Sequence, residues 1–177
     1  MSNPLGTQGY EANFTSKLRD IFSFPHPVNE VAARWVAAMV AVLAIAIILS
    51  DLYWLMFLLA YGFLARVLTG PKLSPMGLLA TRILVPQLGH HQKLVAGPPK
   101  RFAQFVGLTF SITALALFYG FGFAQAAEAV LAILIIFALM ESILGFCAGC
   151  SVFNILIKLD LIPEEACKRC ADFKARP

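Results

Sequence analysis

The sequence predicts an all-α integral membrane protein: a four-span helical bundle of two antiparallel hairpins with amphipathic interfacial helices. Three observations predict it. Of 177 residues, 59% are hydrophobic and 14% charged, against about 25% charged in ordinary soluble domains, and the mean hydropathy is +0.77. Four apolar stretches approach the roughly 20 helical residues needed to cross about 30 Å of hydrocarbon. The basic residues sort to one side of those stretches, and none falls in the two short links between them.

Residues 1–28 form a polar or amphipathic N-terminal segment. In it Phe14, Leu18, Ile21 and Phe22 follow i, i+4, i+7, i+8 spacing, with Lys17, Arg19 and Asp20 off that stripe, as in a helix lying at a membrane surface. The segment lacks the short charged region and apolar core of a secretory signal, so it is expected to stay on the mature protein.

Residues 29–159 are the membrane domain. Its spans run from Val31 to Leu49, Leu52 to Leu68, Arg101 to Phe121 and Ala127 to Gly149, with only "SD" inside the first pair and "GFGFAQ" inside the second. Short links force antiparallel neighbours. The pairs open on "ARWVA" and "KRFAQ", a weak parallel repeat. Lys17, Arg19 and Arg34 precede or begin span one, and Arg66, Lys72, Arg82, Lys93, Lys100 and Arg101 surround the loop 70–100. Lys158, Lys168, Arg169, Lys174 and Arg176 follow span four. The positive-inside rule then makes both termini and the central loop cytoplasmic, with Arg34 and Arg66 snorkelling towards lipid phosphates. In the loop, Met76, Leu79, Ala80, Ile83 and Leu84 form a second amphipathic stripe that Pro86 interrupts. It suits a surface-lying helix or one docked under the bundle.

The formal charge of +4 is explained by this topology. No basic stretch carries a nucleic-acid reading motif, so nucleic acid is not an expected partner. Nucleotide loops, Ser/His/Asp sets and paired-histidine zinc helices are likewise missing from the sequence.

The chemistry-bearing residues are the four cysteines. Cys147 and Cys150 close span four, and Cys167 and Cys170 lie in the tail, residues 160–177. A helix continuing through the first pair puts both thiols on one face. Gly145 and Gly149 form a G-x-x-x-G step, either a close helix-packing seam or a place where the helix loosens and exposes amides that stabilise a thiolate. Lys168 and Arg169 stand between the tail thiols and favour their ionised forms. On a cytoplasmic face a permanent disulfide is disfavoured. The spacing Cys-x2-Cys-x16-Cys-x2-Cys also suits a four-cysteine zinc site. Both chemistries stay open: zinc held by Cys147, Cys150, Cys167 and Cys170, or dithiol exchange between the pairs.

Glu141, inside span four, needs a partner or a proton; Arg34, Arg66 and Gln104 are candidates for the first. Glu128 is expected to be solvated near the outer end. His90, His91 and His26 are read as surface or turn residues.

The strings "FPHPVNEVAARW", "GPKLSPMGLLATRILVPQLG", "GPPKRFAQFVGLTFS" and above all "GFCAGC" resemble the bacterial membrane family catalogued as domain of unknown function 4395, over roughly Val28 to Leu159. The resemblance implies a multi-pass protein of the bacterial inner membrane. It also implies a thioredoxin-like or sulfurtransferase protein as partner, beside the lipid bilayer. "CKRC" lies beyond the shared part, which separates the tail pair from the family's common chemistry. The leading expectation is a membrane thiol protein relaying redox equivalents or sulfur through Cys147 and Cys150, with Cys167 and Cys170 as the exchanging dithiol. The alternatives are a non-enzymatic scaffold subunit with a zinc site, and a small transporter or channel formed by a homo-oligomer.

Overall fold

The computed structural model describes residues 28–87, 94–95 and 97–159. The amphipathic N-terminal segment, the three histidines and both tail cysteines lie outside the described residues.

Helix α1 spans Glu30–Ser50, capped by Asn29, whose side chain accepts a hydrogen bond from the Val31 amide at 3.0 Å, the usual role of an N-cap asparagine. It ends at Asp51, held at φ 55, and a tight turn leads into α2, Leu55–Thr69. After a 3-10 turn over Gly70–Lys72, α3 occupies residues 75–87, opening on Ser74 as cap and Pro75 in the first turn. Helix α4, Gly97–Gly120, opens on Pro98 and Pro99, tolerated because first-turn amides have no helical partner. Helix α5 is Ala124–Leu144 and α6 is Ala148–Lys158. Two-residue strands, β1 at Val28–Asn29 and β2 at Leu94–Val95, pair antiparallel. This bridge, absent from the all-α expectation, ties the start of α1 to the approach to α4.

Among the described residues, three helices are long and apolar enough to cross a membrane: α1, α4 and α5. Helix α2, at 15 residues, covers only about 22 Å at 1.5 Å per residue. It nevertheless completes a ring in which α1 packs on α5, α5 on α4, α4 on α2 and α2 on α1. Inside the ring Ala32, Val36, Val40, Ala41 and Ile47 of α1 share one core with Met56, Leu59, Phe63, Leu108, Ala127, Leu131, Leu134 and Ala138. Small residues admit close approach: at Gly107 an added Cβ would overlap the Phe63 ring. The outer surface is apolar too, with Val42, Leu49, Phe57, Tyr61, Ile112, Ile136 and Leu144 exposed.

Helix α3 docks against α1 with Gly77 and Ala80 buried, whereas Leu79 and Ile83 of the expected apolar stripe are exposed. An added Cβ at Gly77 would lie 2.8 Å from Pro71 Cα, so the loop turns back closely on itself. Helical structure continues through Pro86 as far as Gln87.

The larger departure concerns the fourth apolar stretch. Helix α5 stops at Leu144, five residues before the expected Gly149, because Gly145 takes the left-handed conformation at φ 68, open to glycine without steric cost. A new helix then begins at Ala148. Apolar composition runs unbroken across this joint, which is why hydropathy merged the two helices.

Candidate functional site

The break at Gly145 makes Cys147 the N-cap of α6. The Cys147 sulfur accepts a hydrogen bond from the Cys150 amide at 3.3 Å and another from the Cys150 thiol, the sulfurs lying 2.6 Å apart. Both cysteines are free, Cys147 buried and Cys150 half-buried. The first-turn amides of a helix favour negative charge, and Cys147 stands where a thiolate gains from them. Of the two readings of the glycines, the loosened helix describes Gly145. Gly149 sits instead at a close approach, where a Cβ would come 2.6 Å from Ala103 Cα, pressing α6 onto α4.

The two thiols are held in opposite directions. Cys147 is lowered below the ordinary thiol range, first by the hydrogen bond from the Cys150 thiol, with burial and Glu141 opposing and Lys100 assisting. Cys150 is raised, because its proton is engaged by Cys147 and its surroundings are buried. A polarised dithiol results, in which Cys147 is the more readily ionised of the two.

Beside it lies a charge pair. Lys100 Nζ donates to Glu141 Oε1 at 2.7 Å, and both side chains are nearly buried, at 9% and 14% exposure. The hydrogen-bonded partner of Glu141 is therefore none of the foreseen Arg34, Arg66 and Gln104, although Arg66 lies close enough to interact with it electrostatically. Lys100 had looked like one more basic loop residue. The usable signal was the carboxylate itself: a buried Glu141 demands a cation, and the chain brings α4 to that end of α5.

Arg66 is buried and does not snorkel, while Arg34 is engaged by backbone carbonyls. Arg34 donates through Nε to the Ser142 carbonyl at 3.0 Å and through Nη2 to the Ile143 carbonyl at 2.7 Å, closing the C-terminal end of α5. Arg66 is 4% exposed. Its Nε donates to Gln104 Oε1 at 2.7 Å and its Nη1 to Ser74 Oγ at 3.1 Å, while its guanidinium carbon stands 4.5 Å from the Phe63 ring centroid. The reason is geometric: Arg66 lies on the same face of α2 as Met56, Leu59 and Phe63, which point into the ring. Glu128, expected in solvent, accepts from the Tyr53 hydroxyl at 2.6 Å, and that hydroxyl also lies 3.0 Å from Asp51 Oδ1. This contact lies at the end of the bundle away from the cysteines.

A cavity of about 130 Å³ inside the ring is lined by Cys147, Glu141, Arg66 and Gln104 at its polar end and by Val40, Phe110 and Leu134 among apolar groups. Cys147 borders it and Cys150 does not. Among the described residues no group of three or more metal-ligating side chains gathers. The expected zinc site requires Cys167 and Cys170, which are not among them.

Residues 28–158 match a family model described as Domain of unknown function (DUF4395). No curated protein and no solved structure matches the chain.

Proposed function

The chain thus belongs to the DUF4395 family, and from that premise we propose that it is a membrane thiol protein relaying redox equivalents, or sulfur, through Cys147 and Cys150. One observation carries the reading: the Cys147 sulfur caps α6 and accepts hydrogen bonds from the amide and the thiol of Cys150. A thiolate held in this way is both a better-populated nucleophile and a better leaving group.

The two sulfurs face different places. Cys147 opens on the interior cavity, and Cys150 stands half-buried at the rim. In the proposed cycle the Cys147 thiolate attacks a small disulfide in the cavity, forming a mixed disulfide and expelling one substrate thiolate. The Cys150 thiol then loses its proton and attacks the Cys147 sulfur. The second substrate thiolate leaves, and a Cys147–Cys150 disulfide remains. Two electrons have passed to the substrate. A partner dithiol of the thioredoxin-like class restores them: its thiolate attacks Cys150, expelling Cys147 as the stabilised thiolate, and its second thiol releases Cys150. Sulfane-sulfur transfer uses the same nucleophile.

The proposal places the protein in a bacterial inner membrane as four spans in two hairpins, with the termini, the loop and the dithiol on the cytoplasmic side. The basic residues around the loop and the apolar outer surface support this. Helix α2 serves as a short fourth span, its outward Phe57, Leu58, Tyr61 and Leu64 exposed.

The test is a pair of single variants in a background with Cys167 and Cys170 replaced by Ser. Cys150→Ser is expected to accumulate a mixed disulfide on Cys147 with a small disulfide such as 2-hydroxyethyl disulfide. Cys147→Ser, with Cys150 preloaded as its mixed disulfide with thionitrobenzoate, is expected to form a trapped disulfide with a thioredoxin-like protein that lacks its resolving cysteine, releasing thionitrobenzoate. If neither adduct forms, the relay is wrong.

A further inference from the structure

A second cavity, of about 140 Å³, adjoins the first, sharing Val36, Arg66 and Gln104 with it, and opens to the protein surface. The start of α1, the end of α2, α3 and the start of α4 enclose it. Its lining includes Arg66, Lys100, Gln104, Thr81 and Ala33, and among the described residues it contains no carboxylate and no cysteine. Arg66 and Lys100 are 4% and 7% exposed, so both charges are removed from bulk water.

Among the described residues the two cations share one carboxylate: Glu141 is hydrogen-bonded by Lys100, acts on Arg66 from a greater distance, and lines the other cavity. The partners of Arg66, Gln104 and Ser74, are neutral, and Arg66 Nη2 is buried with no hydrogen-bond partner among the described residues. An unpaired buried cation is costly unless something neutralises and hydrogen-bonds it. Native proteins rarely leave such an atom unsatisfied, and an unseen ion is one standard explanation. Lys100 adds a second positive charge, with one of its three N–H groups directed at Glu141.

We propose that this cavity binds a small oxyanion of the phosphate or sulfate type, with Arg66 Nη2 and Lys100 as its charged donors. A guanidinium edge and an ammonium suit several acceptor oxygens on one anion better than a single point charge. The volume exceeds that of a monatomic ion, and the two cationic side chains in the lining favour an anion over a cation as occupant. Two sources present this chemistry, free anions and the phosphate of an anionic lipid headgroup. The site stands independently of the dithiol reading: it needs neither cysteine.

Purified full-length protein is titrated calorimetrically with inorganic phosphate and with sulfate. It is also recovered from nanodiscs containing phosphatidylcholine, with or without phosphatidylglycerol, and its retained lipid is identified by native mass spectrometry. Saturable anion binding that weakens about a hundredfold in Arg66→Gln, is lost in the cavity-filling Ala33→Phe and persists in Arg82→Gln supports the proposal with a free anion. Phosphatidylglycerol retained by the wild type but not by Arg66→Gln or Ala33→Phe supports it with a lipid headgroup. Should Arg66→Gln not fold, the wild type and Ala33→Phe decide the matter. Binding of neither probe to the wild type overturns the proposal, as does binding that Ala33→Phe leaves intact. The double variant Cys147→Ser, Cys150→Ser is expected to bind as the wild type does, so failure of the relay and failure of this site are told apart.

Discussion

Lys100 Nζ stands 2.7 Å from Glu141 Oε1, joining the first turns of α4 to the last turns of α5 beside the dithiol. The pair fixes how those two helices meet, and both cavities border on it: Glu141 lines the inner one and Lys100 the outer.

Breaking this pair on one side leaves an uncompensated charge at a nearly buried position. Lys100→Met or Glu141→Gln alone is expected to destabilise the protein by roughly 3–5 kcal/mol, whereas replacing both with apolar residues is close to neutral. Thermal unfolding of the two single variants and the double variant in detergent measures the difference. A loss in the double variant equal to the sum of the two single losses would show that the pair is not coupled.

Alkylation should separate the two thiols by pH. Because Cys147 is lowered, its thiolate persists to lower pH than an ordinary thiol, so its half-maximal alkylation rate should fall below the usual midpoint near 8.5. Because Cys150 is raised while it donates to Cys147, its alkylation should require more alkaline conditions. In Cys147→Ser the sulfur acceptor is gone, and the Cys150 profile should move back down. Peptide-resolved mass spectrometry after brief labelling with iodoacetamide reads both profiles.

Two glycines around the motif should fail for different reasons. Gly145→Ala forces a side chain into the left-handed conformation, at a cost of about 1–2 kcal/mol, without touching α4. Gly149→Ala places a methyl 2.6 Å from Ala103 Cα, and overpacking of this kind costs about 1–3 kcal/mol. The distinguishing readout is the residue tolerated: Asn, which enters the left-handed conformation more readily than Ala, should recover part of the loss at position 145 and none at position 149, where the close neighbour is the Ala103 backbone.

Much of this arrangement is legible in the sequence, because apolar length and helical periodicity are strong signals. Helix α1 lies within one residue of the expected span at each end, and α4 ends one residue before the expected Phe121. What escaped was whatever depends on contacts between distant segments. Arg66 near a span end reads as a snorkelling anchor until the packing of α4 and of the loop carrying Ser74 turns its face inwards. Lys100 reads as a loop cation until the end of α5 arrives beside it. The end of α5 was missed for a local reason: "ILGFCAGC" is as apolar as the span before it. The glycine followed two residues later by a capping cysteine was the available clue, and hydropathy cannot register a left-handed residue.

The most direct measurement of the central claim is the redox equilibrium of Cys147 and Cys150 in protein carrying Cys167→Ser and Cys170→Ser. Intact-mass and peptide mass spectrometry follow it across a graded series of thiol–disulfide buffers. The account predicts reversible loss of two hydrogens, localised to one Cys147–Cys150 disulfide and regained on reduction. If both sulfurs stay thiols across the whole series while an exposed control cysteine oxidises, the pair is no relay, and the account is contradicted.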